Sequence, residues 1–93
     1  MTLEWDDAKN QVNRRKHGVD FADAPLVFAG QTLTFEDLRH SSDEPRYLTV
    51  GTLADRMVII AHTLRGEATR IISMRKANAR ERARYQERLG KAR

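Results

Sequence analysis

Apolar positions are densest between Met57 and Lys76, MVIIAHTLRGEATRIISMRK, where the β-branched runs Val58-Ile59-Ile60 and Arg70-Ile71-Ile72 flank the polar break Arg65-Gly66-Glu67. That pattern predicts two strands joined by a tight glycine-containing hairpin at the centre of a sheet. Before it, Arg46 to Leu53 alternates Tyr47, Thr49 and Gly51 against Leu48, Val50 and Thr52, a strand with one drier face. Ala54-Asp55-Arg56 turns that strand back into the hairpin, and Thr32 to Phe35 adds one more short strand.

The helical signals lie at the two ends. After the extended start Leu3-Glu4-Trp5, Asp6 predicts an N-cap for a helix through Ala8 and Val12 to His17, stopped by Gly18. Only Ala8 and Val12 mark an inward face there, so the helix depends on docking. Asp20 caps a second helix over Phe21 to Ala29, with Phe21, Ala24 and Phe28 facing the core; Pro25 means that this helix is bent or begins nearer Asp23. Asn78 with Glu81 three residues on makes a capping box for a last helix, Ala79 to about Leu89. The segment Glu36 to Pro45, EDLRHSSDEP, reads as a polar, mobile loop. Short connections then imply an α+β fold: an antiparallel four-stranded sheet, two N-terminal helices and a C-terminal helix. The helices cover one face, and the other is left for water or a ligand.

Ninety-three residues allow a single domain with one modest core, so any ligand is handled on a surface or in a shallow groove. No cysteine is present, which removes disulfides and thiolate metal sites. The acidic N-terminus lacks an apolar leader-like region, and no stretch is long enough to cross a membrane, so a cytoplasmic protein is expected. Charge is unevenly divided. Met1 to Thr69 holds eight basic and eleven acidic residues, whereas Arg70 to Arg93 holds nine basic and two acidic. A cationic end on a slightly acidic body points to a polyanionic partner, nucleic acid first and an acidic protein second; a solubilising tail is the plainer alternative. Arg80, Arg84 and Arg88 repeat at i, i+4 and i+8 along the last helix, a cationic stripe that is either solvated or a binding face.

No familiar catalytic motif is present. His17, His40 and His62 are too scattered for a metal site, Ser41 and Ser42 lack a nucleophile elbow, and no cofactor is expected. What remains is a set of cations and hydrogen-bonding groups on and after the central strands. Strand alternation puts Ser73 and Arg75 on one face and Arg70 on the other unless a bulge intervenes. A three-residue hairpin loop would pair His62 with Arg70; a loop of two or four residues would set it opposite Ile71, near Ser73. RNA cleavage without a metal needs a base for the ribose 2′-hydroxyl, cations for the charge growing on phosphorus, and an acid for the leaving oxygen. Histidine suits the proton transfers and arginine the phosphate, so His62 with Arg70, Arg75, Lys76 and Tyr85 is a permissive set. Lys16 or His17, at the basic end of the first helix, also reaches toward a phosphate, although cations there also complement the helix dipole.

Taken together, Trp5-Asp6 with Lys9 and Asn13, Lys16-His17-Gly18-Val19, Phe21, Ala24, Phe28, Asp37, Arg39, Arg46, Gly51, His62-Thr63, Arg70-Ile71-Ile72-Ser73, Arg75, Ala77, Glu81 and Tyr85 resemble the BrnT family of type II toxins. The likeness runs from about Leu3 to Tyr85, carried by W-D-x-x-K, K-H-G-V and R-I-I-S-x-R. It implies a RelE-like fold, metal-independent endoribonuclease activity that arrests translation, a BrnA-like antitoxin partner, and promoter DNA bound only through that antitoxin. Carried onto these residues, the resemblance points to His62, Arg70, Ser73 and Arg75, then Lys76; the reading adopted is that Arg70, Arg75 and Arg46 hold phosphate, His62 or Tyr85 transfers protons, and Ser73 orients a side chain or phosphate oxygen. Lys16, Lys76, Arg80 and Arg84 add RNA contacts. Pro25 and the tail after Leu89 depart from the family pattern. Two rivals stand beside this reading: a nucleic-acid-binding module without catalysis, and a protein-interaction module docking through its basic last helix.

Overall fold

The computed structural model describes residues 1–39 and 43–91; His40, Ser41 and Ser42 of the expected polar loop, and the tail residues Ala92 and Arg93, lie outside the described residues. The elements are β1 (Thr2–Glu4), α1 (Asp7–His17), a 3-10 turn (Phe21–Asp23), α2 (Ala24–Ala29), β2 (Leu33–Glu36), β3 (Tyr47–Leu53), β4 (Arg56–Arg65), β5 (Ala68–Lys76) and α3 (Ala79–Lys91). The α+β class and the antiparallel order of β2 to β5 are as expected, but the sheet has five strands, ordered β1-β5-β4-β3-β2. The extended start is a fifth strand, pairing parallel to β5 through Thr2–Ala68, Leu3–Thr69 and Glu4–Arg70. Three residues carry too little periodicity to reveal such a partner, and parallel pairing needs the long crossover that the intervening chain supplies.

Both tight turns follow from local chemistry. Ala54 and Asp55 take φ of 49° and 64°, the two positive values that a two-residue hairpin between β3 and β4 requires. Gly66, at φ 62°, opens the other two-residue loop, so that Arg65 pairs with Ala68. The helix caps are equally local. Asp6 accepts from the Lys9 N–H at 3.0 Å, and Gly18 closes α1 in the left-handed region. Asp20 accepts from the Ala22 N–H, so the chain enters a 3-10 turn first and α2 begins only at Ala24. Pro25 thereby falls in the first turn of α2, where its missing N–H costs nothing.

Cross-strand register sorts the side chains into two faces. On the inner face Val58, Ile60, Ile71 and Met74 pack with Val19, Phe21, Ala24 and Val27 from the 3-10 turn, α2 and the segment before them; Leu3, Trp5, Phe28 and Leu53 close the rim. On the outer face Val50, Ile59 and Ala77 pack beneath Tyr85 and Leu89 of α3. Contrary to the expectation that the helices share one face, α3 crosses to the other and covers part of it. Tyr85 and Leu89, four residues apart on one side of α3, make that contact.

α1 corrects a second expectation. Its apolar residue Val12 is 51% exposed, and its one buried side chain is Asn13. β1 stops at its pairing with Arg70, which leaves the outer edge of β5 beyond that residue without a strand partner. Asn13 fills the gap: its amide oxygen accepts from the Met74 N–H at 3.2 Å, and its Nδ2 donates to the Met74 carbonyl at 2.7 Å and to that of Val19 at 3.1 Å. Asn10 adds a bond to Asp20 and one from the Phe21 N–H. The helix docks on the sheet edge by hydrogen bonding a backbone that would otherwise be orphaned.

Candidate active site

The two-residue loop sets His62 opposite Ile71, one of the pairings left open above. One step further the ladder slips. Ala61 pairs with Ser73, and Ile72 is the extra residue of a β-bulge. The bulge has the consequence that strict alternation forbids. Arg70, opposite Thr63, lies on the same outer face as Ser73, opposite Ala61, and Arg75, opposite Ile59. Arg46, one residue before β3, alternates onto that face as well, and among the described residues its buried Nε has no hydrogen-bond partner. Tyr85 stands at the margin of this surface, stacked on Phe35 with centroids 5.8 Å apart and ring planes at 27°.

His62 is elsewhere. It points to the inner face, 8% exposed, with Phe28 edge-on at 5.5 Å and Tyr47 stacked at 6.0 Å. Its Nε2 lies 2.7 Å from the Thr49 hydroxyl, which bonds in turn to Thr34 at 2.8 Å. Burial holds its pKa below the ordinary histidine value, and among the described residues its Nδ1 meets no partner. The sheet itself therefore separates the expected proton carrier from the guanidinium groups. Lys76 is also turned away: opposite Val58, it follows the inner face and ends near Gly18. Arg80 and Arg84 are exposed along α3, and among the described residues neither is tied to the strands.

The strand cations are partly neutralised. Arg75 forms a two-pronged bridge to Glu81 of α3, NH1 and NH2 each 2.7 Å from a carboxylate oxygen. Glu81 also accepts from the Asn78 N–H at 2.9 Å and its own N–H donates to the Asn78 side chain at 2.8 Å, the capping box in full. The Arg75 bond chiefly drives the Glu81 pKa down to about 2, and the same bond raises that of Arg75. Glu81 uses two of the five guanidinium N–H donors, and Arg75 keeps 34% of its side chain exposed. Arg70 stands 3.6 Å from Glu4, a looser pair.

Beside Ser73 the edge of β5 and α1 enclose an open groove of about 370 Å³, lined by Ala8, Lys9, Val12, Lys16, His17 and Ile72 together with Asn13 and Ser73. Lys16 is thus brought to the site. His17 is half-buried there, its pKa lowered by burial first and then by the charges of Lys16 and Arg75. Its closeness to Arg75 is invisible in the chain, since nothing in the sequence says that α1 runs along the β5 edge. Glu81 was readable as a cap but not as the partner of Arg75.

An apolar floor, a hydroxyl and several cations give this surface the chemistry that suits a polyanion with a non-ionic component. Comparison with protein families agrees with that chemistry: the model described as ribonuclease toxin, BrnT, of type II toxin-antitoxin system matches residues 5–81. No curated protein matches the chain.

Proposed function

The chain belongs to the BrnT family of ribonuclease toxins of type II toxin-antitoxin systems, and from that premise we propose that it is an endoribonuclease acting at the free edge of β5. The observation that supports this most is the bulge at Ile72, which turns Arg70, Ser73 and Arg75 to one face beside the cationic groove of α1. Bulges re-aim side chains at sheet edges, and this one puts two guanidinium groups and a hydroxyl on one face of the strand. Arg75 and Arg70 neutralise the charge that develops on phosphorus, and Ser73 donates to a non-bridging oxygen. Lys16 and Arg46 hold flanking phosphates, while Arg80 and Arg84 extend the cationic surface along α3. His62 and Lys76 serve the fold on this reading, and Tyr85 anchors α3 to the sheet.

The reaction needs no metal on this scheme, because the arginines supply the electrophilic stabilisation. Loss of translatable RNA arrests growth in the cytoplasm, and a BrnA-like antitoxin relieves it by covering the site; promoter DNA is reached only through that antitoxin.

RNA decay by the purified chain tests the proposal against an Arg75→Ala variant. Removing one donor aimed at the transition state is expected to cost about 10²- to 10³-fold in rate. Equal decay by the two proteins would take Arg75 out of the mechanism. Salt-sensitive RNA binding with the RNA left intact would favour the non-catalytic module instead.

A further inference from the structure

Cleavage at the β5 edge requires a group that accepts the 2′-hydroxyl proton, and His62 cannot reach across the sheet to do so. We propose that His17 is the catalytic proton acceptor, an assignment that rests on reading the chain as an endoribonuclease. Three observations place it. His17 is the last residue of α1, held by the Gly18 cap and by the Asn13 bonds to Met74, so its position over the strand is fixed by backbone contacts. It lines the same groove as Ser73, the hydroxyl on the phosphate-binding face. It also lies close enough to Arg75 for that charge to act on its ring.

The electrostatics suit a base. The charged groups facing the imidazole are Lys16 on its own helix and Arg75 from β5, with Lys9 further along the groove and Glu81 of α3 drawing part of the Arg75 charge to itself. Burial and these cations keep the ring neutral near pH 7, so its lone pair is available. His17 takes the 2′-hydroxyl proton as the O2′–P bond forms. The P–O5′ bond breaks with its electron pair on O5′, which takes a proton from water, and the resulting hydroxide recovers the proton from the imidazolium. The products are a 2′,3′-cyclic phosphate and a 5′-hydroxyl end.

The test uses the purified full-length chain and an end-labelled single-stranded RNA oligonucleotide. His17→Asn is expected to slow cleavage by roughly 100-fold or more, while RNA binding by fluorescence anisotropy stays within about twofold and the thermal midpoint is kept. Cleavage by the wild type should fall on the acid side along a one-proton curve that His17→Asn lacks. Added imidazole should restore part of the rate to His17→Ala. Wild-type cleavage by His17→Asn, a wild-type profile with no acid limb, or no rescue of His17→Ala would overturn the assignment while leaving the ribonuclease reading intact. A wild-type chain that leaves the oligonucleotide uncut would overturn both. Equal rates for wild type and Arg75→Ala, with His17→Asn inactive, would retain His17 and remove Arg75.

Discussion

β5 contributes both to the inner face of the sheet and to a free edge, yet the two treat polar side chains in opposite ways. On the inner face His62 is enclosed by Phe28 and Tyr47 and its Nε2 is committed to Thr49. At the edge, His17 and Ser73 look into an open groove, and Arg75 keeps part of its surface. The difference teaches that a histidine on a strand and one at a helix end carry the same chemistry only until packing decides which is wet. Covering by α2 leaves the first dry. Docking of α1 through amides rather than apolar contacts leaves the second accessible.

The largest contrast should appear in stability. Phe21 is fully buried in the inner core, touching the rim residue Trp5 edge-on at 6.4 Å. Phe21→Ala is expected to cost about 3–5 kcal/mol in denaturant unfolding. Ser73→Ala should cost within about 0.5 kcal/mol yet reduce RNA cleavage. Comparable losses of stability for the two would mean that the edge is as much a core as the inner face, and the comparison would fail.

A smaller effect tests how tightly α2 lies on the sheet. A Cβ placed on Gly51 would sit 2.6 Å from Val27 Cγ1 and 3.2 Å from Thr32 Cγ2. Gly51→Ala is therefore expected to destabilise by about 1–3 kcal/mol through overpacking. An unchanged denaturation midpoint would show that the helix can slide, and that His62 is less sealed than the packing implies.

The outer face should respond more mildly. Glu81→Gln breaks the fork to Arg75 and weakens the capping box, for about 1–2 kcal/mol in thermal or denaturant unfolding. The sign with pH is fixed by the lowered pKa. Glu81 moves from an ordinary 4.5 to about 2 on folding, so its contribution is present above 4.5 and disappears as pH falls toward 2. Glu81→Gln should remove that part of the acid sensitivity; an unaltered acid limb would mean that the pair adds nothing.

What the sequence revealed follows from where the information lies. The hairpins were legible because Gly66 and the Ala54-Asp55 pair act within a few residues, and the caps at Asp6, Asp20 and Asn78 for the same reason. The sheet edge was not. Pairing of β1 with β5 joins residues more than sixty positions apart, and the Asn13–Met74 contact is equally distant. Without that edge α1 could not be placed, so in the sequence His17 reads only as a basic residue at a helix end, and proton transfer is assigned to His62 or Tyr85. The faces of Arg70, Ser73 and Arg75 turned on a single inserted residue. Ile72 is chemically indistinguishable from Ile71, and only pairing against β4 decides which of the two is extra.

The smallest expected effect distinguishes the two histidines most directly. Burial lowers the pKa of His62, so the unfolded chain binds that proton first as the solution is acidified. Stability should be flat above the ordinary histidine value of 6.5, fall through the window between it and the folded value, and level off below. His17 is lowered as well and acts in the same direction, so His62→Gln and His17→Asn must be measured side by side by denaturant unfolding across pH 5 to 8. Because His17 is half-exposed and His62 is sealed, His62→Gln should flatten the dependence more. The reverse order would place the drier histidine at the groove, and with it the protected group on the side where the substrate has to enter.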